Sequence, residues 1–205
     1  MTTPAQEISL YPKRIALLAL AVALASSAFI VPATADVAQT VHKDFVVEVF
    51  PHVESPVDFR DTWGARRSGG RRHKGTDILS PRGTPIVAVA PGTVSFIGKQ
   101  RLSGYSIKIK HGHGWVTSYL HLNNDTPGTD DGDGGEEGAF APGLEVGDRV
   151  EAGQLIGWVG DSGNAERTTT HTHFELKHGD TKVNPYPYLA AAWHMTARNG
   201  HPATQ

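Results

Sequence analysis

Short β-branched runs broken by glycine and proline recur along most of this chain, and they constrain its fold more than any other feature. Pro85-Ile86-Val87-Ala88-Val89-Ala90 is such a run, and Pro91-Gly92 follows as a turn. Thr93 to Ile97 forms a second run that stops at Gly98. From Tyr105 to Lys110 the apolar Ile107 and Ile109 alternate with Lys108 and Lys110, and Trp115 to Leu120 reads as a further strand. Strands of this length, joined by Gly-containing turns, predict an antiparallel β-structure. With 23 glycines and 13 prolines the sequence has little room for long helices. Tyr188 to Arg198 is the best helical candidate, because it is Ala-rich and follows Pro187. Phe45 to Phe50 is an apolar, strand-like stretch closed by Pro51, and the polar, Gly/Arg-rich 57–72 reads as loop.

A weak internal echo runs through the chain. Gly83 to Val94 and Gly147 to Gly157 both give a strand, a small-residue turn and another strand. The second copy resembles the hairpins of lipoyl- and biotin-carrier domains. Such carriers need a modified lysine, usually beside methionine. The only methionines here are Met1 and Met195, so a carrier role is disfavoured while the hairpin architecture remains open. Residues 123–145 hold no convincing strand. Asp125, Asp130, Asp131, Asp133, Glu136 and Glu137 sit there among glycines without Lys or Arg, as in a solvated surface loop. The sharper readings are a calcium loop, although the spacing is not that of an EF-hand, or a wall of a substrate cleft.

At 205 residues the chain suits one domain with a real core. Its formal charge of −2 supplies no general basic field, so nucleic acid is not an expected partner. Residues 1–35 stand apart. Lys13 and Arg14 precede the apolar run Ile15 to Val31, and Pro32-Ala33-Thr34-Ala35 offers small residues for cleavage before Asp36. This is the pattern of a secretory signal peptide cut after Ala35. The alternative is a retained anchor, for which the run is slightly short. Cleavage removes Lys13, Arg14 and Glu7 and moves the formal charge from −2 to −3, leaving a mature chain with no membrane span. The expected organisation is a signal peptide at 1–35, a lead-in at 36–56, the main domain at 57–190 and a tail at 191–205. The absence of cysteine removes thiolate metal sites and Cys nucleophiles, so any chemistry runs on His, Asp, Glu, Ser or Tyr.

Two clusters about a hundred residues apart offer that chemistry: His73-Lys74-Gly75-Thr76-Asp77 and His171-Thr172-His173-Phe174-Glu175. Imidazoles with one carboxylate suit zinc, and a mixed His/Asp set is more often catalytic than structural. On a strand, His171 and His173 face one side with Glu175 next along, while Thr172, Phe174 and Leu176 face the other. Tyr119-Leu120-His121-Leu122 adds a third histidine. Each cluster alone is a weak signal. His42, His52, His111, His113, His178, His194 and His201 read as surface or turn residues. Arg66, Arg67, Arg71, Arg72 and Lys74 read as a solvated loop, with contact to carboxylates of acidic stem peptides as the second view.

In this order the stretches resemble the lysostaphin-type zinc metallopeptidases, the M23 family of peptidoglycan endopeptidases. The matching segments are Phe59 to Gly64, Arg72 to Ile78, Gly83 to Val94, Tyr119 to Leu122, Val150 to Gly157, His171 to Glu175 and Val183-Asn184-Pro185. The resemblance implies a mainly β fold. Its antiparallel sheet or sandwich core would have hairpins related to the barrel-sandwich hybrid (duplicated hybrid motif), long loops and a short C-terminal helix. It also implies zinc ligands His73, Asp77 and His173 with water in the fourth position, and a catalytic pair His121 and His171 whose separate roles stay open. Two positions depart from the family pattern: Thr170 stands where Pro is usual and Thr172 where Leu is usual. The expected function is an exported or cell-wall-associated zinc endopeptidase acting on peptidoglycan peptides. The competing expectations are a non-catalytic regulator on the same fold and a calcium-dependent adhesin built on the acidic loop.

Overall fold

The computed structural model describes residues 44–53 and 57–198. The signal-peptide expectation, most of the lead-in, His42 and the end of the tail with His201 lie outside the described residues.

The main body is an antiparallel sheet of eight strands. In chain order these are β1 (Asp58–Phe59), β2 (Thr76–Leu79), β4 (Gly92–Gln100), β5 (Gly104–Lys110), β6 (Trp115–Leu122), β7 (Arg149–Val150), β9 (His171–His178) and β10 (Thr181–Val183). Their spatial order is β1-β2-β9-β6-β5-β4-β7, with β10 on the outer part of β9. A second, two-stranded sheet pairs β3 (Pro85–Val87) with β8 (Leu155–Trp158). Helices are sparse, as the turn-rich sequence predicts: a short α1 (Gly135–Ala139) and a C-terminal α2 (Tyr186–Arg198). No helix of the described residues is long and apolar enough to cross a membrane.

The internal echo has a structural meaning. The two strands within each copy do not pair with each other. Instead β3 of the first copy pairs with β8 of the second, and the start of β4 pairs with β7, through Gly92↔Val150 and Thr93↔Arg149. The copies have exchanged strands, which is the duplicated arrangement expected from the resemblance.

Alternation does most of the sorting. In β5 Ile107 and Ile109 are fully buried while Lys108 and Lys110 are not. In β9 Thr172, Phe174 and Leu176 are fully buried, and His171, His173 and Glu175 face the other way, half-buried. Phe50 packs between Phe59 and Trp193 of α2, at ring-centroid distances of 5.0 and 4.9 Å. Phe45 stacks on Trp115.

Three expectations need correction. Phe45 to Phe50 forms no strand. Phe45 and Val47 alternate inward, but the amides of Glu48 and Val49 share one acceptor, the Val89 carbonyl, so no ladder develops. The helix starts at Tyr186, not Tyr188, with Pro187 inside its first turn and the Asn184 side chain accepting from the Tyr186 amide. His52 is a core residue, not a surface one. It is only 4 % exposed, and its two ring nitrogens bond Ser80 Oγ at 2.8 Å and Thr172 Oγ1 at 2.9 Å. Thr172 replaces the leucine usual in the family, and the hydroxyl thereby gains a buried polar partner behind β9.

The acidic stretch 123–145 is mostly exposed but anchored at its root. Asn123, Asn124 and Asp125 are buried. Arg82 binds Asp161 through both terminal nitrogens, at 2.9 and 3.2 Å, and also meets Asp125 and Asp130. Asp125, Asp130 and Asp161 cluster closely enough to suggest a cation site, but Arg82 already stands among them.

Candidate metal centre

Antiparallel pairing of β2 with β9 sets Asp77 directly opposite His173 and Leu79 opposite His171. Opposite residues share a face of the sheet, so Asp77 and His173 meet although 96 positions separate them. His73 arrives from the loop before β2. Its backbone pairs with Gly64 and Ala65, which holds the loop as a small hairpin. Gly75 lets that loop pass beneath β9: a Cβ there would lie 2.6 Å from the Phe174 carbonyl oxygen and 2.7 Å from the His173 ring.

Three donor atoms close a triangle. His73 Nε2 lies 3.0 Å from Asp77 Oδ1 and 3.0 Å from His173 Nδ1, and His173 Nδ1 lies 2.8 Å from Asp77 Oδ1. The far side of each ring decides which nitrogen faces inward. His73 Nδ1 is 3.1 Å from the Thr62 carbonyl, which can only accept, so that nitrogen carries the proton and Nε2 keeps its lone pair. Thr62 Oγ1 lies 2.9 Å from the same nitrogen. His173 Nε2 donates in the same way to Glu175 Oε1 at 3.3 Å, which turns the Nδ1 lone pair inward. Glu175 also accepts from Lys182 Nζ at 2.5 Å. The second oxygen of Asp77 is engaged by Arg67, leaving Oδ1 for the triangle.

Two lone pairs and a carboxylate oxygen at these distances repel one another unless positive charge lies between them. A tetrahedral divalent ion bound at about 2.0–2.2 Å needs ligand atoms roughly 3.3–3.6 Å apart. The triangle is about half an ångström tighter, a difference that small side-chain rotations remove, and its His/Asp donor types are those zinc takes, so the donor set fits. The same demand for positive charge shows in the titration directions. Without an ion, protons on the inward nitrogens take its place: burial disfavours ionised Asp77, but hydrogen bonds from the then protonated His173 and His73 rings outweigh it and hold the carboxyl below the ordinary range. Burial likewise opposes charging of His173, and hydrogen bonds to Asp77 and Glu175 reverse this and raise its pKa.

Two further histidines flank the triangle. His171 Nδ1 donates to the Thr169 carbonyl at 2.7 Å, and its Nε2 stands 3.9 Å from Asp77 Oδ1. His121 leaves the β6 ladder in a left-handed conformation, with φ of 62°. Its Nδ1 donates to the Ser162 carbonyl at 2.8 Å, and its ring centroid lies 5.3 Å from that of His171. Burial lowers the His121 pKa to about 4, against the opposing effect of the Ser162 carbonyl. All five candidate residues from the sequence therefore converge on one cleft of about 770 Å³. Thr62, Thr169, Ser162 and the orienting role of Glu175 were not anticipated. Of these only Glu175 had a sequence signal, its same-face spacing from His173. His111, His113, His178 and His194 stay away from the cleft, and so does the acidic stretch 123–145.

A family model described as peptidase family M23 matches residues 71–134. The chain is 31% identical to a mutant catalytic domain of the prophage-encoded M23 protein EnpA from Enterococcus faecalis. That match covers 66% of this chain and 94% of the other, with a TM-score of 0.50. This chain belongs to peptidase family M23. The catalytic domain of the antimicrobial peptidase lysostaphin from Staphylococcus simulans matches at 26% identity and a TM-score of 0.53, over 65% of this chain and 92% of that one. An L-Ala--D-Glu endopeptidase of Bacillus subtilis (strain 168) is 34% identical over 162 residues, 73% of this chain and 45% of that protein. The chain spans less than half the length of such curated relatives.

Proposed function

We propose that this chain is an exported zinc endopeptidase that hydrolyses amide bonds in the peptides of bacterial peptidoglycan, with residues 57–190 as its peptidase unit. The observation that carries this reading is the triangle of His73 Nε2, Asp77 Oδ1 and His173 Nδ1 at 2.8–3.0 Å, flanked by two more imidazoles in one open cleft. His73, Asp77 and His173 would hold the zinc. When bound, zinc supplies Lewis acidity and brings the pKa of water toward neutrality. The remaining work falls to the chain. Thr62 and Glu175 keep the two ligand rings in the metal-binding tautomer. The Thr169 and Ser162 carbonyls hold the Nδ1 protons of His171 and His121, so the Nε2 atoms of both rings can take up or return a proton during amide cleavage. The L-Ala--D-Glu endopeptidase activity of the Bacillus subtilis relative supports the substrate class, and the signal-like residues 1–35 support the export.

The test is metal content together with digestion of purified walls. His73→Ala, Asp77→Ala and His173→Ala should lose both zinc and hydrolysis. His121→Ala and His171→Ala should keep zinc while turnover falls by roughly 10²- to 10⁴-fold. A zinc-loaded wild-type chain that leaves every wall preparation intact would sink the hydrolase reading in favour of a regulator on the same fold.

A further inference from the structure

The cleft carries five cationic side chains, Arg67, Arg71, Arg72, Lys74 and Lys182, against two carboxylates, Asp77 and Glu175. The whole chain is formally −2, so this local excess of three positive charges is a concentration and not a general bias. Both carboxylates are already engaged: Asp77 with His73, His173 and Arg67, and Glu175 with His173 and Lys182. Arg71, Arg72 and Lys74 have no carboxylate partner among the described residues. They are held instead by neutral groups. Arg71 donates to the Ser68 carbonyl and hydroxyl, Arg72 to the Gly64 carbonyl, and Lys74 Nζ lies 5.0 Å from the centre of the Trp63 ring. These contacts fix where the cations stand without neutralising them. Arg72 and Lys74 flank His73 in the chain, and both line the cleft that holds the triangle. Leu102, Ser103, Asn164 and Thr168 line the same cleft and carry no charge.

Resting on the peptidase reading, we propose that Arg71, Arg72 and Lys74 read a free carboxylate of the substrate close to the scissile amide. The cleft thereby selects acidic stem-type peptides over neutral ones such as glycine bridges. Three cations without a carboxylate partner leave the cleft net positive, and a substrate carboxylate relieves that excess. The guanidinium forks can meet it with paired N–H donors, and a cleft lined by one sign of charge concentrates ligands of the other. A glycine bridge offers only amides and leaves that excess uncompensated.

The experiment compares two tetrapeptides that share an L-Ala–D-Glu bond. One carries the D-Glu α-carboxylate free and the other carries it as a carboxamide. Calorimetric Kd and kcat/KM are measured on the zinc-loaded chain and on the Arg71→Gln/Lys74→Gln double variant, with zinc content as the control for an intact site. The free carboxylate should bind about tenfold more tightly, and this preference should shrink as ionic strength rises well above 0.1 M. The double variant should bring the ratio to within about twofold, chiefly by weakening the free-carboxylate peptide. Equal binding of the two peptides, binding of neither, or a ratio that survives in the double variant overturns the proposal. A preserved preference in binding without cleavage upholds it, and if every wall preparation is then also left intact the hydrolase reading falls, so the two failures are distinguishable.

Discussion

Glu175 is two residues from His173 on the same face of β9 and never touches the triangle, yet it decides which nitrogen of His173 is available to it. Burial works against its ionisation, and hydrogen bonds from His173 and Lys182 more than compensate, so its pKa is lowered and the carboxylate persists. An ionised acceptor of this kind makes the ligand ring more basic as well as better aimed. Glu175→Gln keeps the shape and removes the charge. It should weaken zinc binding by about 10- to 100-fold in competition with a chelator, while the melting temperature of the zinc-free chain changes little. The convergence of His73, Asp77 and His173 was legible because their residue types are rare and their order along the chain is specific. The groups that orient them were not. Thr62, Thr169 and Ser162 act through main-chain carbonyls, and every residue has one, so the identity of the side chain says nothing about the role.

At the scale of elements, period-2 alternation told correctly which residues of β9 share a face, and burial shows that the face of Thr172, Phe174 and Leu176 is the core one. It failed at Phe45 to Phe50, where burial alternates without a partner strand, because pattern reports burial and not pairing. It also could not show that an arginine outside the acidic stretch helps to tie it down. Arg82, between β2 and β3, joins Asp161 to Asp125 and Asp130 and so fastens the root of 123–145 to the loop that carries Ser162. Asp125 and Asp161 have almost no contact with water. Removing the guanidinium leaves them as uncompensated buried charges, a defect that typically costs about 3–5 kcal/mol. Arg82→Met should therefore destabilise the chain by roughly that amount in urea unfolding. It should also misplace His121, whose ring is aimed by the Ser162 carbonyl.

The whole molecule is tied together behind the cleft as well as across it. His52, near the start of the described chain, bridges Ser80 after β2 and Thr172 in β9. Burial, with a smaller contribution from the charge of His171, lowers its pKa to about 3 against an ordinary 6.5. The unfolded chain thus takes up this proton first as pH falls. The contribution of His52 to stability is complete above about pH 6.5 and is lost progressively toward pH 3, with an upper limit of about 5 kcal/mol. Denaturation midpoints measured between pH 7 and pH 4 should fall along this slope in the wild type and more gently in His52→Gln. A wild type as stable at pH 4 as at pH 7 would show that the ring is not held neutral.

Strand exchange between the two echoed segments has a temporal consequence. His73 and Asp77 are made early and His173 nearly a hundred residues later, and β3 and β4 wait for β8 and β7 to complete their sheets. A growing chain therefore holds only part of the His73, Asp77 and His173 triangle, and on the peptidase reading proposed above it would stay inert until its last strands arrive.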